Sequence, residues 1–247
     1  MKKLIYLFSS MLLTLCAVTF TACGSDNDEP SGSSSESGST SATSYKAGEA
    51  VDLGLSVKWA DRNVGAAKSS DYGGFYAWGE TEEKEVYADS TYRWAVYKEG
   101  SSGGYWKVEM PSDLDNIAST EYDVAHVKWG GKWRMPLTSE CKELLNKCDI
   151  VKTMRDGHMG WLITGPNGNS IFMPTAEAKY IYSWELQQYY GTYSFSAETR
   201  CANLYRVGSE SSYYLVFGEP SSSNKPWGSV TYGLVVSAGF PVRPVSE

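Results

Sequence analysis

The residue pattern predicts an α+β domain of short antiparallel strands, two short helices and long loops. Three features carry that expectation. Aromatic residues make up 14% of the 247 residues, beside 24 glycines, a mixture typical of β-rich and loop-rich folds. Short apolar runs are separated by Gly, Pro and Asn, as strands are by turns. One segment stands out for a helical period, with apolar residues at Cys141, Leu144, Leu145 and Cys148.

From the N-terminus, Met1-Lys2-Lys3 precedes a mostly apolar run that ends in Phe20-Thr21-Ala22-Cys23. Two lysines, a short apolar stretch and small residues describe a secretory signal peptide over 1–22; a single-pass anchor is the alternative. Thr21-Ala22-Cys23 resembles a bacterial lipobox, which implies a lipoprotein whose Cys23 becomes the acylated (palmitate-type) N-terminus. Each buried methylene then contributes about 0.8 kcal/mol to anchoring. Residues 23–46 read as a flexible tether, because Ser25-Asp26-Asn27-Asp28-Glu29-Pro30 and the Ser/Gly/Thr tract after it contain nothing to bury. The acidic cluster resembles the export signal of Bacteroides-type lipoproteins displayed on the cell surface. Solubilising linker charge is the competing reading.

Residues 47–247 supply one domain with a sizeable core. Val51, Leu53, Leu55 and Val57 alternate, predicting a strand from Ala50 to Lys58, and Gly74 to Trp78 predicts another. A short helix is expected at about Glu121–Lys128. The clearest helix runs from Thr138 to Asp149, capped by Thr138 or Ser139. Gly160–Thr164 and Ser170–Met173 flank Gly165-Pro166-Asn167-Gly168-Asn169, a hairpin signature. Tyr213–Phe217, Val230–Val236 and Phe240–Val245 read as the last strands.

The chemistry these residues allow is limited. A net charge of −7 lacks the basic footprint of nucleic-acid binding, so no nucleic-acid partner is expected. Cys141 and Cys148 lie two helical turns apart, about 10 Å, beyond disulfide reach, and read as small core residues. Cys201 has no obvious partner. His126 reads as half-buried on a helix and His158 as a solvated turn residue. There is no zinc spacing, nucleophile elbow or phosphate loop, so no metal and no cofactor is expected. Glu219-Pro220-Ser221 resembles the E-P-N sugar and calcium motif of C-type lectins but lacks its Asn.

Several blocks occur together: Val51-Asp52-Leu53-Gly54-Leu55-Ser56-Val57-Lys58-Trp59-Ala60, Asn63-Val64-Gly65-Ala66 and Gly74-Phe75-Tyr76-Ala77-Trp78-Gly79-Glu80-Thr81. They are followed by Trp129-Gly130-Gly131-Lys132-Trp133-Arg134-Met135-Pro136-Leu137-Thr138, Gly168-Asn169-Ser170-Ile171-Phe172-Met173-Pro174 and Gly239-Phe240-Pro241-Val242-Arg243-Pro244-Val245. In this order they resemble the Fibrobacter succinogenes major paralogous domain family. The resemblance implies a C-type lectin-like fold, similar also to the formylglycine-generating enzyme. Within the blocks, Trp129, Trp133 and Arg134 are expected to be scaffold. Replacing Trp133 by Ala should then cost about 3–5 kcal/mol, and Arg134 and Arg243 should be buried beside carboxylates.

The expected function is a non-catalytic outer-membrane surface lipoprotein, a monomer, that binds a glycan or protein ligand through an aromatic loop face. Alternatives are an enzyme on the formylglycine-generating-enzyme-like scaffold and an adhesion or assembly subunit. The enzyme's chemistry uses two reactive cysteines in the C-terminal half, where this chain has Cys201 alone, so no enzyme activity is expected. Tyr, Ser, Asn and Gly between Pro174 and the closing block suit a recognition surface. The expected ligand-binding residues are Tyr205, Arg206, Tyr213, Trp227 and Tyr232, with Glu198 and Asn203 as polar partners. Alternation along a strand would turn Tyr213 or Tyr214 inward. The fallback site is the aromatic stretch from Tyr87 to Trp106.

Overall fold

The last strand of the chain lies between strands from its beginning and its middle. The computed structural model describes residues 46–176, 179, 182–184, 187–189, 199–205, 211–218 and 227–247. The signal peptide, Cys23 and the tether up to residue 45 lie outside the described residues, as does Glu219-Pro220-Ser221. Thr43–Glu247 form one compact unit. The first strands are β1 (Ala50–Val51), β2 (Lys58–Ala60), β3 (Ala95–Gly100), β4 (Gly103–Val108) and β5 (Trp133–Arg134). Then come β6 (Asp149–Arg155), β7 (His158–Thr164), β8 (Ser170–Pro174), β9 (Tyr182–Trp184) and β10 (Gln187–Tyr189). The last are β11 (Thr199–Tyr205), β12 (Ser211–Gly218), β13 (Trp227–Val235) and β14 (Val245–Ser246). The helices are α1 (Val124–Trp129) and α2 (Thr138–Lys147).

All described strand pairs are antiparallel, in small sheets: β1-β2-β14-β5, β6-β7-β8, β11-β12-β13 and the hairpins β3-β4 and β9-β10. The architecture is α+β and mostly β. Val245 pairs with both Trp59 and Arg134. Ahead of it the closing segment runs along the first loop, with Ala60 N donating to Pro244 O, Val64 N to Val242 O and Tyr76 N to Phe240 O at 2.9–3.0 Å. The first, middle and last blocks of the sequence pattern therefore build one sheet.

Two apolar clusters flank this sheet. One gathers Val64, Tyr76, Trp78, Tyr92, Ile117 and Val124 and receives α1. The other gathers Leu53, Trp59, Leu144, Trp161, Ile171 and Leu215 and receives α2. Asp123 starts α1: one carboxylate oxygen accepts Ala125 N and His126 N, the other Ser119 N and Met135 N, all at 2.9–3.1 Å. A buried acid thus joins the helix start to the residue that follows β5.

Several expectations need correction. The run Ala50–Lys58 is two short strands, because Asp52 Oδ1 accepts Gly54 N at 2.7 Å and Gly54 takes φ +75°. That Asx turn breaks the ladder, yet Leu53 and Val57 still point into the core. Gly74–Trp78 and Phe240–Pro244 form no continuous strands but meet at one bridge, Tyr76 to Phe240. Pro241 and Pro244 have no N–H to extend it. The second helix ends at Lys147 rather than Asp149. It is capped not by Thr138 or Ser139 but by Glu140, whose carboxylate accepts Leu137 N at 2.8 Å. The first helix begins at Val124, after the Asp123 cap, and not at Glu121. Trp129 and Trp133 are only half-buried and pack edge-to-face on each other at 5.1 Å.

Candidate functional site

The polar residues of the sheet are framework. Arg134 makes a two-pronged pair with Glu140, at 2.6 and 2.9 Å. Arg243 is completely buried but meets no carboxylate among its described contacts, contrary to expectation. Its guanidinium donates to Asn63 Oδ1 at 2.7 Å, Ala60 O at 3.0 Å and Phe172 O at 3.0 Å. Burial pushes it down to about 9, still charged at neutral pH. A fan of donors that ties the closing segment to residues 60–63 and to β8 is a structural rivet. Arg200 plays a similar part, donating to Tyr76 O and Val236 O and lying over the Phe240 ring.

The thiols and imidazoles offer little reactive chemistry. Cys201 does have a neighbour: its Sγ lies 3.5 Å from that of Cys141, and both residues are fully buried. Burial first, then the Cys201 thiol, hold Cys141 well above the usual thiol range, the opposite of what a nucleophile needs. His126 is half-buried, as expected. His158 begins β7 and packs edge-on against Tyr72 at 5.0 Å rather than standing in a solvated turn. Among the described residues no three His, Cys, Asp or Glu side chains group to hold a metal ion.

The expected ligand face is spread over β11, β12 and β13. Asn203 and Tyr205 lie on β11, and Trp227 and Tyr232 on β13, by their backbone; their side chains, like Glu198 and Arg206 altogether, lie outside the described residues. Tyr213 is half-buried and packs on the α2-side cluster. Its neighbour Tyr214 turns the other way, buried and stacked on Phe240 with centroids 5.9 Å apart. Successive residues of one strand each find a core.

Among the described residues, exposed aromatic surface is found in the fallback stretch. Tyr87 and Tyr92 are buried there, whereas β3-β4 carries Val96, Tyr97, Tyr105 and Trp106 at 41%, 54%, 54% and 40% exposure. Tyr97 sits opposite Trp106 in the register, and their rings meet edge-to-face at 5.4 Å. The Tyr97 ring also covers Gly104, where a Cβ would collide with it. Lys98 faces Tyr105, and Val96 faces Lys107, on the opposite surface of the ribbon. Lys98 and Lys107 both pair with Glu109 at 3.2 Å.

The base of this ribbon is anchored while its length is not. Ala95 and Val108 pack on the α1-side cluster, and Glu109 N donates to Trp94 O at 2.7 Å. Trp94 packs against Trp78, Tyr92 and Tyr122 at 5.5–6.2 Å, with Arg93 lying over the Trp94 ring. Beyond that base, Val96, Tyr97, Glu99 and the whole of 103–107 are exposed, and among the described residues no third strand joins either edge. The hairpin itself was not among the predicted elements. Its available signal was the two-residue Ser101-Ser102 turn between glycines, flanked by Val-Tyr and Tyr-Trp.

No protein-family model matches this chain, and neither does any curated protein or any solved structure.

Proposed function

We propose that this chain is a lipid-anchored, surface-displayed binding module that engages a protein partner through the aromatic hairpin β3-β4. The observation that carries this reading is the combination of exposed Tyr97, Tyr105 and Trp106 with an anchored base and, among the described residues, two open strand edges. Tyr and Trp are the side chains most enriched at interfaces, and open edges accept a strand from another chain. A projecting ribbon suits insertion into a partner's groove better than enclosure of a small ligand, for which concave sites are the rule. Display outside the cell is supported by the lysines, apolar run and Cys23 of the N-terminus, and by the acidic cluster after it. The ordered blocks support membership of the Fibrobacter succinogenes major paralogous domain family with a C-type lectin-like fold. The convergence of the first, fourth and last blocks on one sheet fits a family framework.

Glycan binding is a second reading, favoured by Lys98, Lys107 and Glu109, whose two lysines share a ribbon face with Tyr105 and offer hydrogen bonds to hydroxyls. One comparison tests both. Cells producing the full chain or its Tyr97→Ser/Trp106→Ser variant are probed on a glycan array and with solubilised envelope proteins. Loss of protein capture in the variant supports the first reading, loss of array signal supports the second, and binding unchanged in both refutes the hairpin as the site. Protease shaving of intact cells tests display; a domain protected until the outer membrane is broken would contradict it.

A further inference from the structure

We infer that Cys141 and Cys201 are a disulfide-forming pair, closed when this chain folds in an oxidising compartment. They come from α2 and β11, 60 positions apart, yet their sulfurs are 3.5 Å apart in the free-thiol state. A disulfide needs about 2.05 Å between sulfurs, so closure asks for an approach of about 1.5 Å. The backbones are already held together beside the pair, because Ala202 N donates to Pro136 O at 2.9 Å. That bond ties the residue after Cys201 to the segment leading into α2. The loop so closed contains the whole β6-β7-β8 meander, and cross-links closing long loops restrict the unfolded chain most.

The third thiol is a poor competitor. Cys148 caps the end of α2, two turns from Cys141. It is half-buried, and burial, followed by Glu143 and Asp149, pushes it up to about 11. In the folded chain Cys141 is held well above the usual thiol range by burial and by Cys201, so exchange with an oxidant belongs to folding, before the core closes. The oxidant is a disulfide of the glutathione or oxidoreductase class. The thiolate of one cysteine attacks that disulfide and releases one donor thiolate. The second cysteine then displaces the other donor sulfur from the mixed disulfide. Two electrons and two protons pass to the donor, which leaves as two thiols.

The inference depends on the export reading in one respect, the compartment, since cytosolic thiols stay reduced. Two measurements separate them. Reduced, purified full-length chain is refolded with a mixture of oxidised and reduced glutathione, and free thiols are alkylated after denaturation. Peptide mapping without reductant should recover a Cys141–Cys201 linked peptide, lighter by two hydrogens than its parts, with Cys148 alkylated. A reductant should lower the melting temperature of this product by about 5–10 °C, and the Cys201→Ser variant, where it folds, should lose that dependence. Folded chain that retains both thiols free after refolding overturns the pair, as does a link to Cys148. The same mapping on protein isolated from its own cells decides the compartment: a pair that closes in the glutathione mixture but is open in cells contradicts export and leaves the pair standing.

Discussion

Trp59 and Trp78 are completely buried, whereas Trp106 is 40% exposed and Tyr97 54%; the same residue types do opposite work in the sheet framework and in the β3-β4 ribbon. Residue type does not separate the two regions. What separates them is the number of segments that arrive on each side. In the framework, segments from both ends of the chain converge, so the Trp59 and Trp78 rings are covered on every side. The ribbon has an anchored base and nothing on its faces or edges among the described residues. Aromatic burial is therefore set by topology, and aromatics that topology leaves open are candidates for recognition.

The contrast breaks most severely at Arg243. Replacing it by Ala strands Asn63 Oδ1, Ala60 O and Phe172 O in a sealed interior. Each buried acceptor left unsatisfied costs about 1–3 kcal/mol, a loss visible as a lower midpoint of urea unfolding. A change below about 1 kcal/mol would mean that water or neighbours replace the rivet. Trp133 comes next. Being half-buried against Trp129 rather than enclosed, its change to Ala should cost about 1–2 kcal/mol, under the 3–5 typical of enclosed aromatics. The full figure would return it to the core.

Acid probes the framework side, at helix α2. Glu143 is held below the usual carboxylate range by Lys147 first and by Ser56 second. A folded pKa below the unfolded one contributes stability above the ordinary carboxylate pKa, lost as pH falls through the folded value. Glu143→Gln should therefore reduce the drop in melting temperature between about pH 5 and pH 3, a small change because the pair is solvated. An identical acid profile would contradict the pairing.

The sequence made some of these elements easy to read and hid others for physical reasons. Helix α2 was legible because Cys141 and Leu144 must face a core, and that need imprints the helical period. In 51–57 the alternation reported burial correctly, with Leu53 and Val57 inward, but said nothing of the Asx turn at Asp52 that ends the ladder. The β3-β4 hairpin escaped because neither face of it is buried along most of its length, so no period of two is imposed on Val96-Tyr97-Lys98-Glu99. Strand β6 escaped for the related reason that it is an edge strand with most side chains exposed. The approach of Cys201 to Cys141 needs two elements 60 residues apart, which no local pattern records. Which of Tyr213 and Tyr214 turns inward was open in the sequence; Tyr214 is the buried one and Tyr213 is half-buried.

The smallest expected change in stability is also the most direct test of the account. Its central claim is that the ribbon's rings serve recognition and the framework's rings serve the fold. The Tyr97→Ser/Trp106→Ser variant of the full chain is measured for unfolding free energy beside the wild type, and its capture of envelope protein on intact cells is measured in parallel. Stability should stay within about 0.5 kcal/mol of wild type, as for exposed surface positions, while capture is lost. A stability loss of several kcal/mol, or capture retained in full, would contradict that claim.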